Sequence, residues 1–235
     1  MKTSKHIHCA KCLHRQQSIF CHSQTEVPDE IHEYKTCMYF KRGETIFHEG
    51  GHGFGIYCIS SGKVKLSISG EDGKEQIVRL ARAGDVLGYR AVLSGERYGA
   101  STFALEDTSV CFIPKATFFG CLKQDTNLSF ETMKQLSNQL HKAEQRITLL
   151  AQRPVRERLA EALLFMLGTY GYESNGHNIA VQLSREDIAN IVGTATETAI
   201  RILSKFNRDG IIGLHGKKIS IINEPGLYKV ANFAG

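Results

Sequence analysis

The stretch that decides the fold is Leu183–Phe206, LSREDIANIVGTATETAIRILSKF. Two short runs of helical periodicity flank a single glycine. Ser184 is a plausible N-cap, and Asp187 stands three residues on, as in a capping box. Ile188, Ile191 and Val192 then fall on one face of a first helix. Gly193 supplies the turn. Thr194 or Thr196 is expected to cap a second helix, whose apolar face carries Ala199, Ile202, Leu203 and Phe206. The opposite face carries Thr196, Glu197, Ile200, Arg201 and Lys205, a mixture suited to base edges and phosphates. The reading is a helix-turn-helix whose second helix enters the DNA major groove.

The residues that follow extend this reading. Ile211–Leu214 and Lys218–Ile222 are β-rich runs around His215-Gly216-Lys217, so a hairpin should follow the second helix. Helix, turn, helix and hairpin describe a winged helix-turn-helix. Over residues 151–235 there are ten Lys and Arg against eight Asp and Glu, so net charge alone does not point to DNA. Local placement does: Arg185, Arg201, Lys205, Arg208, Lys217 and Lys218 all lie within or beside the expected reading surface.

Residues 127–152 read as one long helix. Met133, Leu136, Leu140, Ala143, Ile147 and Leu150 recur at alternating intervals of three and four, the a/d pattern of a two-helix seam. Arg153-Pro154 should end it. Upstream, residues 38 to about 120 read as β structure. Val64, Leu66 and Ile68 alternate with polar residues, and Gly70-Glu-Asp-Gly73 makes a turn before Gln76–Leu80. Frequent glycines imply short strands with corners, as in a small β-roll or jelly roll.

The chain has 235 residues and seven cysteines. That length predicts two domains, each able to bury a core. There is no 18-residue apolar run and the polar start MKTSKHIHCAKC is not a signal peptide, so a cytoplasmic protein without membrane attachment is expected. Seven cysteines in such a chain favour metal or redox chemistry over structural disulfides. Cys9-Ala-Lys-Cys12 is a close thiolate pair with the spacing to grip one metal or one cluster edge, and Cys21 follows. His6, His8 and His14 flank the pair, so zinc is an alternative. Cys37, Cys58 and Cys121 read more simply as small apolar residues of the roll.

The segment VGTATETAIRILSKF, with RERLAEALLF before it and the DGII-to-KKISI wing after it, resembles the CRP/FNR family of bacterial transcription regulators. KRGETIFHEG, ISSGKVKL and AGDVLG match the turns of that family's sensor roll, so the resemblance covers nearly the whole chain. It implies an α+β protein with four parts. These are an N-terminal cysteine-bearing segment (1–28), a jelly-roll-like, cyclic-nucleotide-binding-like sensor domain (29–125), a dimerisation helix (126–152) and a winged helix-turn-helix (153–235). It also implies a homodimer on a palindromic double-stranded operator, with RNA polymerase as a further partner.

Glu197 and Arg201 match the glutamate and arginine with which family members read a G·C-containing half-site. The chemistry agrees, since arginine can bond guanine O6 and N7 together and a carboxylate can accept from a cytosine amino group. One helical turn of separation puts both on one face. Ile200 departs from the family's usual serine or glycine, and Thr196 from the arginine of one branch. Cys111 stands where the oxygen-sensing branch has its distal ligand, so the resemblance implies that Cys9, Cys12, Cys21 and Cys111 hold a [4Fe-4S] cluster. Eight residues separate Cys12 from Cys21, where that branch typically has five. Cyclic AMP is disfavoured: the Gly84-Asp-Val-Leu-Gly88 turn is followed by Tyr89-Arg90 without the family's glutamate, and Tyr98-Gly99-Ala100-Ser101 lacks its Arg-Ser pair.

No catalytic residue is assigned. His48-Glu49-Gly50-Gly51-His52 spells HExxH, but that motif serves a metalloprotease only on a helix, and two adjacent glycines in a β-rich stretch argue against one. The rival class is a metal-dependent, cupin-like β-roll enzyme with structural C-terminal helices. It would want an HxH pair inside the roll, and His6-Ile-His8 precedes it.

Overall fold

A computed structural model describes residues 2–3, 12, 14, 18–22, 29–70, 73–174 and 176–232. The chain divides into two compact units, Met1–Ile68 with Ala81–Lys142, and Ser69–Leu80 with Ala143–Gly235.

Up to residue 124 the chain is built mainly on short strands separated by glycine turns. In chain order come β1 (Lys2–Thr3), a 3-10 turn at Ile19–His22, α1 (Asp29–Tyr34), β2 (Thr36–Phe40), β3 (Thr45–Phe47), β4 (Gly55–Ser61) and β5 (Lys63–Ser69). Then follow β6 (Glu75–Arg82), β7 (Val86–Leu87), α2 (Tyr89–Ser94), β8 (Ser101–Ala104), β9 (Thr108–Pro114) and α3 (Lys115–Gln124). One sheet has the order β1-β2-β9-β4-β7 and the other β3-β8-β5-β6. Non-sequential neighbours in both sheets are the signature of a roll rather than a meander.

Alternation along β5 buries Val64 and Leu66 as expected, but it breaks at the strand's end. There Ser67 is buried opposite Ser101 while Ile68 faces out. The glycine turn closes where the sequence places it, with the Gly73 amide donating to the Gly70 carbonyl at 3.0 Å.

Because strand side chains alternate between faces, β2, β4 and β9 feed two cores. Met38, Ile59 and Val110 point into the roll interior with Phe47, Leu66 and Leu87. Other residues of these strands, Ile56 and Ile113, point to the other face, where Ile31 of α1, Phe118 and Cys121 of α3 and Leu128 cover them. Ile19 and Phe20 of the 3-10 turn pack into this second core.

A single helix, α4 (Thr126–Gln152), has 27 residues. At 1.5 Å per residue it is about 40 Å long. It stops at Arg153-Pro154, and Pro154 becomes the N-cap of α5 (Val155–Tyr170). Proline fits there because the helix start needs no amide from it.

In the second unit α5 buries Leu159, Leu163 and Met166 against α6 (Arg185–Val192), α7 (Thr196–Arg208) and α8 (Glu224–Val230). Between α7 and α8 lies a two-stranded hairpin, β10 (Ile212–His215) and β11 (Lys218–Ile221), in which His215 faces Lys218. Among the described residues no helix is long and apolar enough to cross a membrane.

Candidate functional site

The reading head is held by local chemistry. Ser184 Oγ accepts the Asp187 amide at 2.9 Å, and the Asp187 carboxylate accepts the Ser184 amide at 3.0 Å. This reciprocal box satisfies orphan donors at the start of α6. Gly193 closes α6 in the left-handed region at φ 69°, ψ 53°. A Cβ there would lie 3.1 Å from Leu150 Cδ2, so the turn needs glycine both for its backbone and for its closeness to α4.

The second helix starts differently from the sequence expectation. Its N-cap is Ala195, without a side-chain cap, and Thr196 is already its first helical residue. The Thr194 amide donates to the Ala189 carbonyl at 3.1 Å and so finishes the turn. Two residues therefore separate Gly193 from α7, which leaves neither threonine at the capping position.

Helical periodicity then divides α7 sharply. Ala199, Leu203 and Phe206 are fully buried, with Ile202 half-buried beside them. Glu197, Ile200, Arg201, Lys205 and Arg208 are exposed, while Thr194 and Thr196 are half-buried at the helix start. Among the described residues, no ion pair engages Glu197, Arg201 or Lys205. This outer face presents a carboxylate, a guanidinium, an ammonium and one apolar side chain, the groups that contact base edges, phosphates and thymine methyls.

The flanking cations have different surroundings. Arg185 is half-buried, and its Nη2 donates to the Gly216 carbonyl at 2.8 Å, bracing the tip of the hairpin. Burial pushes its guanidinium below the ordinary value. Lys218 pairs with Glu173 at 3.0 Å. Lys217, at the hairpin turn, is exposed. Asn207 Oδ1 accepts the Leu214 amide at 3.2 Å, which fixes the end of α7 to the hairpin.

The cysteines fall into distinct settings. Cys121 is fully buried in the second core of the first unit, and Cys37 is 5% exposed, as apolar roll residues would be. Cys58 and Cys111 are half-buried. In register, Cys111 on β9 stands opposite Cys37 on β2 and opposite Cys58 on β4, so three cysteines form one rung across three strands. Cys9 lies outside the described residues, as does the side chain of Cys21, while Cys12 is half-buried. Among the described residues no three potential ligands gather to hold a metal ion.

The backbone of Cys21 sits in the 3-10 turn whose Ile19 and Phe20 pack in one core with Ile113. Ile113 is two residues beyond Cys111 on β9, hence on the same face. The fold thus carries the Cys21 backbone to the face of the sheet that bears Cys111. The donor set of soft thiolates is the type that iron–sulfur clusters and zinc both accept.

The roll interior is filled by rings. Phe47 lies 5.1 Å from Tyr57 and 4.4 Å from Tyr98, and Tyr57 lies 5.1 Å from Phe112, centroid to centroid. Tyr98 donates to the Gly55 carbonyl at 3.0 Å, and burial pushes its phenol well above the ordinary range. After the Gly84–Gly88 turn, Tyr89 is buried in the second core, Arg90 is exposed, and Arg97 donates to the Gly50 carbonyl at 2.7 Å. His48–His52 forms an exposed turn rather than a helix, so its two imidazoles do not share a helical face.

On α4, Met133, Leu140 and Ile147 are more than half exposed and Ala143 is exposed as well. Leu136 packs against the second core and Leu150 is half-buried, so two members of the a/d stripe have partners within the chain. Phe130, 63% exposed, extends the outward stripe by one turn. The sequence pattern counted from Met133 leaves it out, although the three-residue interval is there to be seen.

Comparison with known proteins agrees with both halves. Residues 37–125 match the model of the cyclic nucleotide-binding domain, and residues 157–230 match that of the Crp-like helix-turn-helix domain. The fumarate and nitrate reduction regulatory protein of Vibrio cholerae is 31% identical over 231 residues, which is 96% of this chain and 90% of that protein. Its Escherichia coli counterpart is also 31% identical, over 229 residues with the same coverage. Among solved structures, FixK2 from Bradyrhizobium japonicum superposes with a TM-score of 0.76 at 26% identity, over 86% of this chain and 99% of that one. A transcriptional regulator of the CRP/FNR family from Thermus thermophilus gives 0.71 at 27% identity, over 85% and 100%. With the roll, the long helix and the DNA-reading head in the same order, the chain belongs to the CRP/FNR family of transcription regulators.

Proposed function

We propose that the chain works as a homodimer that reads a palindromic DNA operator with α7, and that its affinity is set by a [4Fe-4S] cluster on Cys9, Cys12, Cys21 and Cys111. The observation that carries the DNA-reading half is the outer face of α7. Glu197, Ile200, Arg201 and Lys205 stand exposed there on a helix whose other face buries Ala199, Leu203 and Phe206. Arg201 takes a guanine edge, Glu197 a cytosine amino group and Ile200 a thymine methyl, with Thr194, Thr196, Lys205 and Lys217 toward the phosphates. Arg185 and Lys218 act by holding the wing in place. Two copies are needed because a two-fold operator demands a two-fold reader. The exposed stripe of Phe130, Met133, Leu140 and Ile147, with Ala143, is the surface that joins them.

The docking of Ile19 and Phe20 supports the sensing half, since it ties the cysteine-bearing segment to the sheet of Cys111. A bound cluster would supply an oxygen-labile centre. The protein's part is mechanical: loss of the thiolate ties frees the segment from the outer core, where Leu128 and Leu136 of α4 also pack, and so loosens the dimer helix. Zinc held by the same thiolates, with His6, His8 and His14 nearby in sequence, is the second reading. RNA polymerase is the expected partner on DNA, and the cytoplasm is the compartment where both are met.

The test is the visible spectrum, with iron and acid-labile sulfide assays, of protein purified without oxygen, alongside operator affinity before and after air. A broad band near about 400 nm, of the kind thiolate-bound iron–sulfur clusters give, that bleaches in air together with affinity supports the reading. A colourless protein without iron or sulfide refutes the cluster and leaves the DNA-reading half standing.

A further inference from the structure

The rung of cysteines in the roll has chemistry of its own. Cys37 on β2 and Cys111 on β9 are 74 residues apart in sequence, directly opposite in register, with their sulfurs 3.3 Å apart. Directly opposed residues of antiparallel strands have Cα atoms about 4.5–5.5 Å apart. That span lies inside the range of about 4.4–6.8 Å that a disulfide bridges. Closing the bond to about 2.05 Å asks the two sulfurs to approach by about 1.2 Å, within the reach of small side-chain rotations. The two thiols also differ in access: Cys37 is 5% exposed, whereas Cys111 is half-buried.

We propose that Cys37 and Cys111 form a thiol pair that a hydroperoxide converts to a cross-strand disulfide, with Cys111 attacked first and Cys37 resolving it. In the first step the Cys111 sulfur takes the distal oxygen of the peroxide. The O–O bond breaks, an S–O bond forms, the thiol becomes a sulfenic acid and the peroxide leaves as water or alcohol. In the second step the Cys37 sulfur attacks the Cys111 sulfur, the S–O bond breaks and water leaves. Both electrons that reduce the peroxide come from the two thiols.

Resting on the cluster reading above, the consequence is that the disulfide withdraws Cys111 from the ligand set. A protein stripped by oxygen is then held in the cluster-free state until a thiol reductant reopens the bond. Cys58, opposite Cys111 on the other side, is the competing partner.

The experiment uses the full chain in cluster-free form, reduced, freed of reductant and exposed to hydrogen peroxide. Remaining thiols are alkylated, and the chain is digested with trypsin and mapped by mass spectrometry without reduction. The three cysteines fall in separate peptides, residues 36–41, 43–63 and 98–115. The expected product is 36–41 joined to 98–115, reversed by dithiothreitol. In Cys37→Ser the joined species vanishes, and 98–115 instead gains the mass of two oxygens as Cys111 proceeds to sulfinic acid. The proposal is overturned if Cys111 links to 43–63 or to an N-terminal peptide. It is also overturned if Cys111 remains fully alkylatable, or is overoxidised in the parent while Cys37 stays a thiol. The spectrum of the anaerobic protein decides the cluster separately, so either idea can fail alone.

Discussion

Replacing Ile147 by alanine isolates the role of the α4 stripe. Ile147 is 67% exposed in the single chain, so its removal opens no cavity there, and alanine is the better helix former. Whatever the substitution costs must then appear in association. Three carbons are lost per chain and the two-fold axis doubles the loss. At about 0.8 kcal/mol per buried CH2 the dimer loses up to about 5 kcal/mol if the side chain is fully covered, and about 2 kcal/mol if it is partly covered. With about 1.4 kcal/mol per tenfold, the dimer dissociation constant rises roughly 30-fold to several thousand-fold. Sedimentation equilibrium over a concentration series measures it, with circular dichroism confirming that α4 stays helical. A change below about threefold in a well-folded variant would refute the assignment of this stripe to the dimer.

Three other perturbations probe separate parts of the chain. Arg201→Ala should weaken specific operator binding by about 1–3 kcal/mol and relax preference at one base pair, whereas Lys205→Ala should weaken all sequences alike and lower the salt slope by about one; fluorescence anisotropy at several salt concentrations separates the two. Gly193→Ala forces a Cβ into the left-handed region beside Leu150 and should lower stability by about 1–2 kcal/mol or more, read from chemical denaturation. The third concerns acid. The Tyr39 hydroxyl and the Arg42 amide both donate to Asp107 and hold its carboxyl below the usual range. Their contribution is complete above the ordinary carboxylate pKa and is lost as pH falls through the lowered one. Tyr39→Phe should therefore flatten the acid side of a melting-temperature profile, and an unchanged profile would count against that pair.

Much of the reading head was legible because its determinants are local. The Ser184–Asp187 box, the Gly193 turn and the inward Ala199, Leu203 and Phe206 all act within a few residues of one another. Ala195 rather than a threonine caps α7 because the turn consumes two residues after Gly193, a length that residue types alone do not encode. Long-range partners stayed hidden. Nothing near Arg185 or Lys218 in sequence announces the Gly216 carbonyl or the Glu173 carboxylate as a partner. The same holds for the cysteine rung, since only strand register brings Cys37 and Cys58 to Cys111. On β5, the alternation rule holds at Val64 and Leu66 and fails one residue before the strand's last, where Ser67 is buried and Ile68 is exposed.

Operator reading by a two-fold dimer is tested most directly by selection of DNA sites from a random pool with the anaerobically purified protein. Sequencing of the pool then pairs with a stoichiometry measurement on the selected site. The expected result is enrichment of an inverted repeat with a G·C pair in each half, half-site centres separated by about 34 Å of helix or a multiple of it, and two chains per site. Enrichment of a site without two-fold symmetry, or of none above the starting pool, would contradict it.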